Sequence, residues 1–111
     1  MTLAGDLDVS VEPGEVAFAF TVRNDGTDPL TLQFRSGQTA EFVVYEDRTE
    51  VFRWSDGQMF TQALQTVPLG QDESVIYTGT WPDPETGTFK VVATLEAENQ
   101  DLETSAEFYV Y

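Results

Sequence analysis

The chain has 111 residues, and 20 acidic side chains stand against 5 basic ones for a formal charge of −15. It contains no cysteine and no histidine, which excludes disulfides, thiolate and imidazole metal sites, and serine–histidine or cysteine–histidine catalysis. A surface this acidic repels phosphate backbones and anionic membranes, so neither nucleic acid nor lipid is an expected partner.

The length suits one domain spanning residues 1–111. Its opening, Met1 to Asp6, has no basic region and no apolar run, so no signal peptide is expected. Leu7 to Val11 forms a weak first strand, cut off by Pro13-Gly14. Val16, Phe18, Phe20 and Val22 then alternate with Ala17, Ala19, Thr21 and Arg23, the period of a half-buried strand. Asn24-Asp25-Gly26 signals a turn. Leu30, Leu32 and Phe34 alternate next, and Ser36-Gly37 ends that run. Phe42 to Tyr45 and Val51 to Trp54 are short apolar runs, the second closed by Ser55-Asp56-Gly57. Phe60 to Val67 is the best helical candidate, at most two turns long. Ser74 to Trp81, Thr88 to Glu96 and Ala106 to Tyr111 complete the strands, with a double-proline turn at Pro82 to Gly87. About eight short strands separated by turn signals predict an all-β, immunoglobulin-like antiparallel sandwich.

One window stands apart. Gly57 to Gln71 contains no charged residue, and Arg35, Arg48 and Arg53, three of the five bases, lie just upstream. Two readings fit. Phe60, Leu64 and Val67 are core and the window is buried, where charge is costly. Alternatively, the window is a contact surface kept free of like-charge repulsion toward a partner.

The same region carries a resemblance. Phe34-Arg35-Ser36-Gly37-Gln38, then Glu41-Phe42-Val43-Val44-Tyr45, then Val51-Phe52-Arg53-Trp54-Ser55-Asp56-Gly57-Gln58-Met59-Phe60-Thr61-Gln62-Ala63 form an ordered series. It resembles the intracellular proteinase inhibitor family typified by BsuPI, with its Ser-Gly-Gln turn and its Arg-Trp-Ser-x-Gly-x-x-Phe-Thr-Gln-Ala block. Weaker similarity continues through Leu69-Gly70, Trp81 and Gly87-Thr88-Phe89. Phe52 and Ala40 depart from the pattern, which commonly has Trp and an aromatic residue at those places. The resemblance implies an immunoglobulin-like sandwich that blocks the active-site cleft of a subtilisin-like serine protease without covalent chemistry. It implies a cytoplasmic protein, monomeric when free, that is not an enzyme and needs no cofactor.

The candidate contact residues are therefore Ser36, Gly37, Gln38, Ser55, Asp56, Gly57, Gln58, Met59, Phe60, Thr61 and Gln62. Each has a plainer reading. Ser36-Gly37-Gln38 is also simply a turn in which Gly37 is free to take positive φ. Ser55-Asp56-Gly57 is also a tight turn, and Phe60 either plugs the end of the sandwich or anchors in a partner's pocket. Trp54 is expected in the core, with Arg53 on the opposite face paired to an acid. Asn24, Asp25, Asp28 and Asp56 suggest calcium, but their spacing fits no standard calcium loop, so no metal is expected. The alternative function is a non-inhibitory immunoglobulin-like binding or accessory module. A carbohydrate-binding sandwich would use Tyr109 and Tyr111, residues that equally suit strand packing.

Eleven Glu, nine Asp, fourteen Thr and one Lys resemble the composition of salt-in halophilic proteins. The plainer reading is an acidic domain that uses charge for solubility. The Debye length falls from about 10 Å at 0.1 M salt to 3 Å at 1 M, so molar salt quenches most of the self-repulsion. Melting in 2 M KCl should therefore occur well above melting in 0.1 M KCl. Equal melting temperatures would rule out the halophilic reading.

Overall fold

Wherever the sequence alternates apolar and polar residues, the chain pleats. The computed structural model describes residues 3–111. Met1 and Thr2, on which the expectation of no leader partly rests, lie outside the described residues. Nine strands are described: β1 (Leu3–Glu12), β2 (Glu15–Asn24), β3 (Leu30–Phe34), β4 (Ala40–Glu46), β5 (Thr49–Arg53), β6 (Gln65–Leu69), β7 (Ser74–Pro82), β8 (Gly87–Leu95) and β9 (Glu103–Val110). They form three antiparallel sheets, in the orders β1-β2-β7, β3-β6 and β5-β4-β8-β9. Among the described residues no helix is long and apolar enough to cross a membrane.

The core follows from the alternation in β2. Val16, Phe18, Phe20 and Val22 are all essentially inaccessible. Phe42 and Val44 of β4 and Phe89, Val91, Ala93 and Leu95 of β8 meet them from the opposite sheet. The Phe18 ring stacks on Phe42 at 5.6 Å, and the edge of Phe108 meets Phe18 at 6.1 Å. Trp81 lies within this aromatic layer, 5.0 Å from Phe89 and 5.9 Å from Phe52. Offset and edge-to-face pairs of this kind add to the stabilisation from burial itself.

A buried amide ties down the loop between β2 and β3. Asn24 is fully buried at the end of β2. Its Nδ2 donates to the carbonyls of Asp28 and Leu69, and its Oδ1 accepts from the Gly26 amide. The β2–β3 loop is thereby joined to the end of β6, and every polar atom of the side chain has a partner, as burial requires. These bonds account for Asn24-Asp25-Gly26 as structural punctuation.

The sequence reading needs three corrections here. Phe60 to Val67 is not helical: it is irregular chain that enters β6 at Gln65. Leu64, a supposed core residue, is 77% exposed. Trp54 is half-buried at the margin of the core, and the deeply buried tryptophan is Trp81.

Gly79 sits where the two sheets pack closely. It pairs with Phe18 across the β2–β7 ladder. A Cβ at that position would lie 2.8 Å from Phe42 Cδ2 and 3.0 Å from Trp54 Cδ1. The missing side chain is what admits both rings. Gly79→Ala should lower stability by about 1–3 kcal/mol through overpacking, read from the denaturant midpoint. An unchanged midpoint would show that the rings yield freely.

Candidate functional site

Two strand ends meet at the site. β4 begins just after Ser36-Gly37-Gln38, and β5 ends just before Ser55. Val43 pairs with Arg53, and the Trp54 amide donates to the Phe42 carbonyl at 2.9 Å. Antiparallel pairing therefore sets the start of β4 beside the end of β5. Residues distant in sequence become neighbours for that reason.

Glu41 fastens the two together. Its side chain is 10% exposed on the outer face of β4. One carboxylate oxygen, Oε1, accepts from the Phe42 amide at 3.1 Å and from the Ser55 amide at 3.0 Å. The other, Oε2, accepts from Gln38 Nε2 at 3.4 Å and faces Arg53 Nη1 at 3.5 Å. Arg53 also pairs with Glu50 at 2.9 Å. That bond holds the Glu50 carboxyl below its ordinary value and raises the Arg53 guanidinium. Glu96, close by, has its carboxyl pushed up by partial burial first and by the like charge of Glu41 second, with Arg53 opposing. Sequence reasoning left Glu41 out of the candidate set. The available signal is an acid lying in the apolar run from Ala40 to Val44.

The turn and the downstream segment also touch directly. The Gly37 amide donates to the Thr61 carbonyl at 2.9 Å, and Gln65 Nε2 donates to the Ser36 carbonyl at 3.0 Å. Within the turn, the Gln38 amide donates to Ser36 Oγ. Gly37 does not have positive φ. Its lack of a side chain serves close approach instead, since a Cβ there would sit 3.0 Å from Thr61 Oγ1 and 3.2 Å from the Thr61 amide nitrogen.

Beyond Ser55 the chain makes one tight turn. The Asp56 amide donates to the Arg53 carbonyl, the Gln58 amide donates to the Ser55 carbonyl, and Gly57 supplies a φ of +81°. Gln58 to Leu64 then runs without turn or bend and pairs with no strand. Phe60 leans back onto Trp54 with ring centroids 5.7 Å apart, and Trp54 meets Phe42 at 6.0 Å. An aromatic line thus joins the core to the segment. Asp56, Gly57, Gln58, Met59, Thr61 and Gln62 are exposed, whereas Ser36, Gly37, Gln38, Ser55 and Phe60 are half-buried. The turn props the segment from beneath, and the segment is the part presented to solvent.

This is a β-sandwich that offers a tethered stretch of backbone at its surface. The sequence model of the intracellular proteinase inhibitor family, BsuPI, matches residues 3–100. The chain belongs to that family. A comparison with curated proteins finds no match. Among solved structures, it is similar to the CARDB domain of PF1109 from Pyrococcus furiosus, at a TM-score of 0.51 and 20% identity over 98% of this chain and 92% of that one. It is also similar to Spo0M, a sporulation control protein from Bacillus subtilis, at 0.53 and 14% identity, covering all of this chain and 49% of that one. Likeness at these identities shows the fold alone, and the fold is the expected all-β, immunoglobulin-like sandwich.

A carboxylate that satisfies a strand amide and a loop amide at once should be costly to remove. Glu41→Ala should destabilise the protein by about 1–3 kcal/mol, the penalty for unpaired buried amides. The Ser55 amide should lose protection in hydrogen exchange. Glu41→Gln should be milder because its carbonyl oxygen still accepts from both amides. Full protection of Ser55 in Glu41→Ala would remove Glu41 from this role.

Proposed function

We propose that the chain inhibits a subtilisin-like serine protease by laying Gln58 to Leu64 in the active-site cleft, without covalent chemistry. Membership of a proteinase inhibitor family supports the general activity. The observation that carries the site is the segment itself: mostly exposed, uncharged, outside the described strands and free of bends, yet held at the Gln58 amide and the Thr61 carbonyl. A cleft that adds an inhibitor strand needs free backbone N–H and C=O groups, and Met59 and Phe60, whose backbone groups have no partner among the described residues, offer them. The segment's tethers to Gly37, Ser55 and Trp54 reduce the entropy lost on docking. The reading is of one domain acting as a monomer in the cytoplasm, with a protease rather than nucleic acid or membrane as partner.

The absence of charge has a use at such an interface. An acid brought into a dry contact costs several kcal/mol when unpaired, by the general penalty for buried charge. The same acid on an exposed surface changes stability by about 0.5 kcal/mol or less. Gln58→Glu and Gln62→Glu should each weaken inhibition of a subtilisin-like protease by at least about tenfold, as 1.4 kcal/mol or more of lost affinity implies. Thr86→Glu, in the turn after β7 beyond the far end of β4, should leave inhibition unchanged. All three should melt with the wild type. Equal inhibition by all three, or loss confined to Thr86→Glu, would move the contact to the other end of the sandwich.

A further inference from the structure

Within the segment one side chain is set apart from the rest. Met59 is 96% exposed, more than any of the other exposed large apolar residues. It is nevertheless not on loose chain. On one side the Gln58 amide is held by the Ser55 carbonyl at 3.1 Å. On the other, the Phe60 ring rests on Trp54, and the Thr61 carbonyl is held by the Gly37 amide. With Phe60 turned inward, its neighbour Met59 projects outward, held at the backbone and free at the side chain. Five glutamines, threonines or small residues among its near neighbours offer nothing of comparable apolar reach.

We infer that Met59 is the side chain that enters the primary specificity pocket of the target protease, and that this pocket is deep, apolar and uncharged. The inference rests on the reading of Gln58 to Leu64 as the inhibitory segment. Serine proteases choose partners chiefly by what this pocket accepts: a buried aspartate selects a cation, whereas a hydrophobic slot selects a large apolar group. Methionine is long, unbranched and flexible, and so fills a deep apolar slot. No base lies between Gly57 and Gln71, so an aspartate at the base of the pocket would be buried against a thioether and left unpaired. Leu64 is the other exposed apolar residue of the segment, at 77%. The next residue, Gln65, already pairs with Phe34 in the β3–β6 ladder. A cleft cannot clamp free backbone on both sides of Leu64, whereas from the Gln58 carbonyl to the Thr61 amide, on both sides of Met59, the backbone has no partner among the described residues.

The test compares inhibition constants against subtilisin, whose pocket is apolar, and trypsin, whose pocket ends in an aspartate. Melting temperatures are measured for every variant. Met59→Asp should weaken subtilisin inhibition by at least about 30-fold, the loss that marks a central contact residue. Met59→Leu should stay within a few fold of the wild type. Met59→Lys should gain inhibition of trypsin that the wild type lacks. Leu64→Asp should cost far less than Met59→Asp. All variants should melt with the wild type, since the side chain touches little. Unchanged subtilisin inhibition by Met59→Asp, while Gln62→Glu remains weak, would overturn the role of Met59 and leave the segment standing. A larger loss from Leu64→Asp, or no gain on trypsin by Met59→Lys, would also overturn it. A wild-type protein that inhibits neither protease would remove both this inference and the reading beneath it.

Discussion

The geometry of the site depends on one carboxylate. Burying an ionised carboxyl is expensive unless hydrogen bonds and a counter-charge compensate it. Glu41 has both: two backbone amides on one oxygen, and an amide side chain and a guanidinium near the other. Its value lies in what it couples. Because a single oxygen serves Phe42 and Ser55, the strand that carries Phe42 and the turn that launches the segment cannot shift independently. Gln38 ties the preceding turn to the same group. Three stretches that share no strand are thereby held in one arrangement.

Rigidity reaches the surface by a second route. Phe18 stacks on Phe42, Phe42 meets Trp54, and Trp54 carries Phe60. Gly79 makes this possible by leaving space for the two middle rings. Core packing is dense and transmits displacement poorly tolerated by neighbours. A segment resting on such a line keeps its shape before any partner arrives. Hydrogen bonds at Gln58 and Thr61 and the contact of Phe60 with Trp54 tie the segment to the sandwich at three points.

The sequence made eight strands legible because period-two alternation is local. β1 extends further than Leu7 to Val11 because β2 offers it a full-length partner, from Leu3 opposite Asn24 to Glu12 opposite Glu15. β6 was hidden by a coincidence of spacing. Phe60, Leu64 and Val67 mimic one face of a helix, yet Phe60 faces Trp54 and Leu64 faces solvent. Pro68 also argues against a central strand, and β6 tolerates it because it pairs only with β3. The candidate turn and segment were legible as motifs, but their contact was not. The bonds from Gly37 to Thr61 and from Glu41 to Ser55 exist only once β4 and β5 have paired. Gly37 illustrates the limit. A glycine in a turn suggests backbone freedom, whereas here it provides clearance for Thr61, a residue far along the chain.

Charge follows the same division between local and global. The chain is strongly acidic, and its arginines are divided: Arg23 pairs with Asp25 and Asp72 at the end of β2, while Arg35 and Arg53 lie near the segment. Arg35 pairs with Glu98 at 3.2 Å, and Arg53 pairs with Glu41 and Glu50. Acids that would otherwise flank the segment are thus neutralised beside it, and the segment itself adds only Asp56 at its entry. The molecule is 43 Å in its longest dimension, several times the Debye length of about 10 Å at 0.1 M salt. Distant acids are therefore screened, and what an approaching partner meets is set by charges within a few residues of the contact. A chain that carries −15 can still present one nearly neutral face where a few cations balance the neighbouring acids.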